Sequence, residues 1–381
     1  MRSTVSSSPV DGSPLIPPIN FFEEKVREVA LGPIIIEMLN RSRSMSGDRA
    51  EIFELLVSEF LKGDATLLYN LRDEDARLAL KILLHAFEHS VRPPDVDGTD
   101  WNDAQALIRR RICKLSREAR ELPEDIHVRV YCDDFRIYGS GGLADVFRGS
   151  TVAEGTPVAL KKLRVLRLAQ PSQAQRLLQD FHREIMVWRT IPPHRFLLPF
   201  LGITSGAPGI ADQCMVSPWM EKGTIISYID ELTTQPEVSS ALLTQLVDQW
   251  LFEIISGISH LHFSGIVHGD LRGANIFLHK DGSIRIADFG IAVIEHVGSS
   301  YTRAQPAGTV PWKAPELLYS DDDTLLRPTK ASDIYAFACV CVERRTSFSD
   351  QTNGIRAGTQ GPSRRKASAS KENGGSPVGD K

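Results

Sequence analysis

The sequence has few cysteines, little net charge and no long apolar run. Its five cysteines are odd in number and none lies in a CxxC pair, which argues against a disulfide framework and predicts reduced thiols. With 44 basic and 48 acidic side chains, the net charge of −4 gives no overall attraction to nucleic acid. The longest apolar stretch, residues 31–39, contains a glycine, a proline and a glutamate and is too short to cross a bilayer. We therefore expect a cytoplasmic protein, with the nucleus as the second location, that has no membrane span and binds no nucleic acid.

Composition divides the chain into segments. Residues 1–20 are rich in serine and proline, which predicts a disordered tail. Over residues 21–122 apolar side chains recur at three- and four-residue steps, which predicts three to five helices. This helical region carries no recognisable chemistry, so we interpret it as an interaction region for a protein partner. Residues 344–381 are basic and rich in serine and glycine, which predicts a second disordered tail.

Between the helical region and the second tail, the pattern changes from strands to helices. Strands are predicted at residues 127–131, 135–138, 158–161, 197–203 and 213–217. After Gly223 helical patterns predominate. Because the strands come first and the helices later, this order predicts an α+β fold with separate lobes and not a doubly wound sheet.

A glycine cluster follows the second predicted strand. Gly139, Gly141 and Gly142 have no Cβ, so backbone amides there can approach a polyphosphate closely. Taken alone the cluster is a weak signal, since most glycine-rich turns are only turns. A dinucleotide fingerprint is disfavoured because that motif opens a helix, whereas this chain continues through Val146 as a strand.

Lys161 follows an apolar triplet in a predicted strand, where its charge would be costly unless an anion met it. Glu184 lies among apolar residues on one face of a helix, and Ser172 with Gln175 forms a predicted capping box at the start of that helix. An acid on a buried face needs a cation. We therefore expect Glu184 to pair with Lys161.

Two acids and an amide stand near two predicted loops. Asp270 and Asn275 are five residues apart, and Asp288 follows the next apolar run. Carboxylate and amide oxygens suit Mg²⁺, and a carboxylate can orient a hydroxyl group. Any one of these residues alone is more often the acceptor of an Asx turn.

Taken in order, these residues resemble the protein kinase signature. The set comprises the glycine loop, Lys161, Glu184, His268-x-Asp270, Asn275, Asp288-Phe289-Gly290 and Ala314-Pro315-Glu316. The resemblance covers residues 131–343 and looks most like the tyrosine-kinase-like group, particularly its fungal members. It implies a bilobal fold with a β-rich N-lobe and a helical C-lobe. It also implies transfer of phosphate from Mg²⁺-ATP to hydroxyl groups of protein substrates in signalling, with serine or threonine favoured over tyrosine.

The resemblance implies a role for each motif residue. Asp270 would be the catalytic base, and Arg272 would neutralise the transferring phosphate. Lys161 with Glu184 would anchor ATP, and Asp333 would brace the catalytic loop.

Asn275 and Asp288 would be the metal ligands, with Asn275 also counted among the catalytic residues. The remaining nucleotide contacts implied are the loop glycines Gly139, Gly141 and Gly142, the roof residues Val146 and Ala159, Ser217 at the gatekeeper position, Met220 at the hinge and Phe277 below the base.

The chain departs from the family pattern in three places. Ala144 stands at the third glycine of the loop. Gly269 replaces the arginine before Asp270, which predicts that no phosphorylated activation loop is required. After Glu343 the helices that complete the C-lobe in the family are not recognisable, so we expect an incomplete lobe with Glu316 buried and unpaired. A pseudokinase-like or truncated scaffold that binds nucleotide or partners without catalysis is therefore the alternative.

Overall fold

The computed structural model describes residues 19–42, 50–140, 144–164, 171–205, 213–290, 292–294, 310–318 and 327–343. The predicted tail at 344–381 and the loop glycines Gly141 and Gly142 lie outside these residues. The first helix begins at Ile19, inside the segment predicted as the first tail, and the rest of that segment also lies outside the described residues.

In the described part of the chain, five helices precede the sheet. They are α1 (Ile19–Ser42), α2 (Ala50–Lys62), α3 (Thr66–Tyr69), α4 (Asp73–His89) and α5 (Gly98–Ala119). Their apolar faces meet in one core, in which Ile35, Leu83 and Ile108 are fully buried. The start of α5 is capped by the Asp97 carboxylate, which accepts a hydrogen bond from the Thr99 amide at 2.7 Å.

An antiparallel sheet follows the helices. Its strands are β1 (Val130–Cys132), β2 (Gly139–Ser140), β3 (Ala144–Thr151), β4 (Pro157–Leu163), β5 (Gly202–Thr204) and β6 (Cys214–Pro218). The strand order is β1-β3-β4-β6-β5, and β2 pairs with β3. Lys161 of β4 lies opposite Val146, and Ala159 lies opposite Ser217. Because paired residues share a face of an antiparallel sheet, these four side chains are on one face.

The segment 135–138 was predicted as a strand, and this prediction is wrong. The segment is a loop, and its side chains are exposed. The carboxylate of Asp134 accepts hydrogen bonds from the Arg136 amide at 3.1 Å and the Tyr138 hydroxyl at 2.9 Å. These bonds turn the chain locally, and such side-chain acceptors compete with strand pairing.

Other boundaries also differ from the predictions, and two of them concern a proline and a helix cap. The strand predicted at 197–203 begins only at Gly202, after Pro199, which has no amide hydrogen to donate to a ladder. The helix α6 (Pro171–Arg189) begins one residue before Ser172. Ser172 therefore lies in the first turn of α6 and is not its cap.

The C-lobe follows β6. Its helices are α7 (Ile225–Thr233), α8 (Ser240–Phe263) and α9 over 330–343. Its short strands are β7 (Ile266–Val267), which pairs with β10 (Val293–Ile294), and the hairpin β8 (Ile276–Leu278) and β9 (Ile284–Ile286). The predicted α+β, bilobal kinase-like fold is confirmed. Within the described ranges, no helix is long and apolar enough to cross a membrane.

Two features of the C-lobe concern the expectation of missing helices. Glu316 is exposed, so the expectation that it is buried without a partner is wrong. The carboxylate stays in solvent, where it needs no cation. On α9, in contrast, Ile334, Tyr335 and Val342 are 47%, 40% and 59% exposed, as expected for a helix with uncovered apolar residues.

Candidate active site

The centre of the candidate site is the ammonium group of Lys161. Its Nζ atom is 2.7 Å from Oε1 of Glu184 on α6 and 2.9 Å from Oδ1 of Asp288. Burial favours the neutral amine, but the two carboxylates outweigh burial and raise the pKa of Lys161. The sheet, α6 and the segment after β9 thus meet at one cation.

Asp288 follows β9 in an unusual backbone conformation. Its φ angle is +67°, in the left-handed region that aspartate tolerates better than most residues. Desolvation would raise the pKa of its carboxyl group, but the charge of Lys161 and their hydrogen bond lower it to about 2. Asp288 is therefore ionised at neutral pH, and its side chain is 43% exposed and open to a ligand.

The loop that carries Asp270 is held by Asp333 of α9. The Asp333 carboxylate accepts hydrogen bonds from the amides of His268 and Gly269, both at 2.8 Å, and contacts Nε2 of His262 at 2.8 Å. Gly269 has a φ angle of +79°, which glycine adopts without strain. A buried carboxylate with three partners fixes the backbone next to Asp270.

Asp270 and Asn275 contact each other directly. Nδ2 of Asn275 donates to the carbonyl oxygen of Asp270 at 2.8 Å and to Oδ2 of its carboxylate at 3.1 Å. Burial raises the pKa of Asp270 and the charge of Asp288 adds to this, while His268, Asn275 and Arg272 act in the opposite direction. The loop therefore places a partly desolvated carboxylate beside an amide.

Arg272 lies against an aromatic ring. Its guanidinium carbon is 4.8 Å from the centre of the Trp312 ring, a cation–π distance. Oε2 of Glu343 on α9 accepts hydrogen bonds from Nε1 of Trp312 at 3.0 Å and from the Gly273 amide at 3.2 Å. The role of Glu343 was missed in the sequence, where it marked only the end of the resemblance. Its partners are 31 and 70 residues away, so no local pattern could reveal them.

The predicted nucleotide contacts lie on both sides of a cleft between the lobes. Val146, Ala159 and Ser217 belong to the sheet above it, and Phe277 belongs to the β8–β9 hairpin below. Met220 follows β6 in the connection between the lobes and is buried. Gly139 lies in β2, whereas Gly141 and Gly142 are outside the described residues.

The residues present fit a magnesium nucleotide. Because Nδ2 of Asn275 is directed at Asp270, its Oδ1 atom is the side-chain oxygen left for a cation, together with the ionised Asp288. In the described residues, no group of three or more histidine, cysteine, aspartate or glutamate side chains could hold a metal. A bound Mg²⁺ would thus take its other ligands from phosphate and water, as Mg²⁺ commonly does.

Comparison with known proteins agrees with this geometry. Residues 133–361 match the family described as the protein kinase domain. Cell division control protein 7 of Schizosaccharomyces pombe is 28% identical over 205 residues, which are 54% of this chain and 17% of that protein. Probable serine/threonine-protein kinase drkA of Dictyostelium discoideum is 29% identical over 210 residues, 55% of this chain and 29% of that protein. Serine/threonine-protein kinase A-Raf of Mus musculus is 32% identical over 209 residues, 55% of this chain and 31% of that protein.

The fold, the site and the family match define one class of protein. The chain belongs to the protein kinase domain family, as the resemblance of its motifs predicted, and it has similar relatives of the tyrosine-kinase-like type. It spans less than a third of the length of these curated relatives.

Proposed function

We propose that the chain is a protein kinase that transfers the γ-phosphate of Mg²⁺-ATP to serine or threonine hydroxyl groups of protein substrates, with tyrosine as the less favoured acceptor. The observation that carries this proposal is the double ion pair of Lys161 with Glu184 and Asp288. Phosphoryl transfer depends chiefly on positioning and charge neutralisation, and both require this lysine to be held at the metal-binding end of the cleft.

Each side chain has a distinct task in the proposed reaction. Asp270 accepts a hydrogen bond from the substrate hydroxyl and orients its oxygen, and its raised pKa makes it a better proton acceptor. Asn275 and Asp288 hold Mg²⁺, which supplies positive charge to the phosphates. Lys161 contacts the same phosphates, and Glu184 keeps its ammonium group in place.

Arg272 places a further positive charge near Asp270, since it lowers the pKa of that carboxyl group. Its contact with Trp312 limits its rotamers and holds the guanidinium at this position. We assign it the neutralisation of charge on the transferring phosphate.

The adenine base is bounded by side chains from both lobes. Val146 and Ala159 lie above it, Phe277 lies below it, and Ser217 and Met220 lie at the back and at the hinge. Gly139, Gly141 and Gly142 supply backbone amides to the phosphates, because residues without Cβ allow the closest approach.

The proposed setting is intracellular signalling in the cytoplasm, with the nucleus second. All five cysteines are free thiols, which suits a reducing compartment. The proposed partners are protein substrates and a protein that binds the helical region at 21–122.

The test is phosphate transfer by the purified chain and by Asp270→Asn. We expect the parent to phosphorylate itself or serine- and threonine-containing peptides, and we expect Asp270→Asn to lose at least about a hundredfold in kcat while still binding nucleotide. The matched control is Asp230→Asn, at an exposed position on α7 far from the loop in sequence. Peptides that differ only in serine, threonine or tyrosine identify the acceptor.

Binding is measured separately by thermal unfolding with and without Mg²⁺-ATP. At about a hundred times the dissociation constant, a competent site gains about 2.7 kcal/mol of stability. A thermal shift without phosphate transfer, in the parent as in Asp270→Asn, would overturn the enzyme and support the nucleotide-binding scaffold. If the parent showed no thermal shift and no phosphate transfer, both the kinase and the nucleotide-binding scaffold would be overturned.

A further inference from the structure

Helix α6 presents two different faces. Glu184 points to Lys161 in the cleft, whereas His182, two residues earlier, is about 200° away around the helix axis. The His182 side chain is buried and lies near the backbone of Ser116 on α5. Helix α6 is therefore packed between the candidate active site and α5.

The contact between α5 and α6 has a buried centre and charged edges. Cys113 of α5 is buried near Arg183, and burial raises the pKa of its thiol to about 11. At one edge Arg117 is 3.8 Å from Asp180. Farther along α6, its last residue, Arg189, pairs with Glu88 of the adjacent helix α4 at 2.8 Å.

Helix α5 is also attached to the C-lobe. The fully buried Arg109 donates from Nη1 to the carbonyl of Ser264 at 2.5 Å, and its guanidinium stacks on Phe87 of α4. Ser264 lies just before β7 and the loop of Asp270. From α6, Arg183 donates to the carbonyl of Ala292, four residues after Asp288. Helix α5 thus links α6, which carries Glu184, to the lobe that carries Asp270 and Asp288.

The linking helix lies outside the matched family domain. The match begins at residue 133, whereas α5 ends at Ala119. The kinase domain therefore receives this support from a segment that precedes it in the chain. We propose that α5, with Glu88 of α4, is a positioning element for the active site that holds α6 in the orientation in which Glu184 reaches Lys161.

This proposal rests on the proposed kinase function and adds the role of the helical region in it. Two packed layers lie against α6, the sheet on one side and α5 on the other. Weakening the second layer allows α6 to move, which removes the carboxylate from Lys161. The expected defect is in the chemical step, because only an ordered Lys161 stabilises the transferring phosphate fully.

The test uses charge reversal in the full chain. The helical-side variant carries Glu88→Arg and Arg117→Asp, which turns both edge pairs into like-charge pairs without changing the net charge. The compensated variant adds Asp180→Arg and Arg189→Glu on α6, which restores both pairs with opposite polarity. The control variant carries Glu37→Arg and Arg41→Glu, a charge exchange of the same size at an exposed pair on α1.

We expect the helical-side variant to lose about tenfold in kcat, the size of a moderate coupling between sites, with little change in the KM for peptide. The compensated variant recovers to within about threefold of the parent kcat. Its Arg189→Glu substitution also brings a like charge near Asp125, but Asp125 is exposed and solvent screens this repulsion. The control variant keeps the parent kcat. Full activity in the helical-side variant, or a loss that the compensated variant does not recover, overturns the proposal.

Hydrogen exchange of the peptide 171–189 provides a readout that does not need activity. We expect faster exchange in the helical-side variant and parent-like exchange in the compensated and control variants. If the parent transfers no phosphate, the kinase proposal fails, whereas this exchange pattern alone decides whether α5 holds α6. Unchanged exchange in the helical-side variant overturns the positioning role whether or not the chain is active.

Discussion

Arg109 and Ser264 are 155 residues apart in the chain and are joined by a hydrogen bond of 2.5 Å from the guanidinium to the carbonyl. Arg109 is fully buried, and burial lowers its pKa to about 10, so it keeps its positive charge at neutral pH. This bond connects the helical region directly to the lobe that holds the loop of Asp270. The two parts of the chain therefore form one packed structure.

The first prediction concerns Lys161. Lys161→Met removes the cation shared by Glu184 and Asp288 and leaves two carboxylates close together. We expect kcat to fall by at least about a hundredfold, since positioning and charge neutralisation carry most of phosphoryl transfer. Steady-state kinetics measure the loss, and thermal unfolding measures the weaker stabilisation by Mg²⁺-ATP.

Lys162→Met is the matched control, because the next residue in a strand points to the opposite face of the sheet. It removes the same charge from β4 but not from the cleft. Equal losses in the two variants would contradict the assigned role of Lys161.

The second prediction concerns Asp333. Asp333→Ala removes the acceptor for the amides of His268 and Gly269, which leaves buried donors unsatisfied. We expect the free energy of unfolding to fall by about 2–4 kcal/mol, together with a lower kcat. Urea unfolding measures the first effect and peptide phosphorylation the second. Asp248→Ala, at an exposed position on α8, is the control and is expected to change neither quantity. If Asp333→Ala were as stable as the parent, the hydrogen bonds from His268 and Gly269 to Asp333 would contribute little.

The third prediction is a pH dependence that arises from His182. Its burial, with a smaller contribution from the nearby charge of Arg120, lowers its pKa from the usual 6.5 to about 4. Between these two values the unfolded chain binds a proton at this position that the folded chain does not bind. The free energy of unfolding therefore falls as the pH falls, by about 3 kcal/mol between pH 7 and pH 4 from this group alone.

Urea unfolding of the parent and of His182→Gln over this pH range separates this contribution from those of other groups. We expect the difference between the two proteins to shrink or reverse toward pH 4, because the variant has no group that protonates there. His127→Gln replaces an exposed histidine and should follow the parent curve. Parallel curves for the parent and His182→Gln would show that His182 is not buried in its neutral form.

The fourth prediction concerns Gly202, which has a φ angle of +144°. A Cβ atom at this position would collide with the carbonyl oxygen of Ile126, in the segment that joins the helical region to the sheet. We expect Gly202→Ala to lower the free energy of unfolding by more than about 2 kcal/mol.

Gly282→Ala isolates the backbone contribution. Gly282 also has a positive φ angle, +84°, but no atom outside Gly282 and its two chain neighbours lies within 4 Å of the position of its Cβ. We expect a loss of about 1 kcal/mol there. If the two alanine variants were equally stable in urea, this result would contradict the close approach of Ile126 to Gly202.

The family and the ordered motifs could be predicted from the sequence. Glycine loops, an apolar triplet followed by Lys161, and acids at loop tips such as Asp270 and Asp288 are local patterns. Their order along the chain is specific even where each is weak alone. Glu184 could also be predicted, because its position on a buried helical face requires a cation. Periodicity likewise predicted a region of three to five helices, of which the structure has five, and the α+β order.

Other features depended on contacts between distant residues. The loop at 135–138 alternates like a strand, but the Asp134 side chain and an exposed location decide its conformation. Glu316 carries a family motif, and only the tertiary structure shows that its carboxylate is in solvent.

The residues of the kinase motifs are thus a property of the sequence by itself, because each occupies a recognisable local pattern. The packing of α5 against α6 is a property of the tertiary structure. An amphipathic helix shows that it has an apolar face, but not which surface that face covers. The bond from Arg109 to Ser264 and the contact of His182 with Ser116 decide this, and they bring the helical region against the helix that holds Glu184.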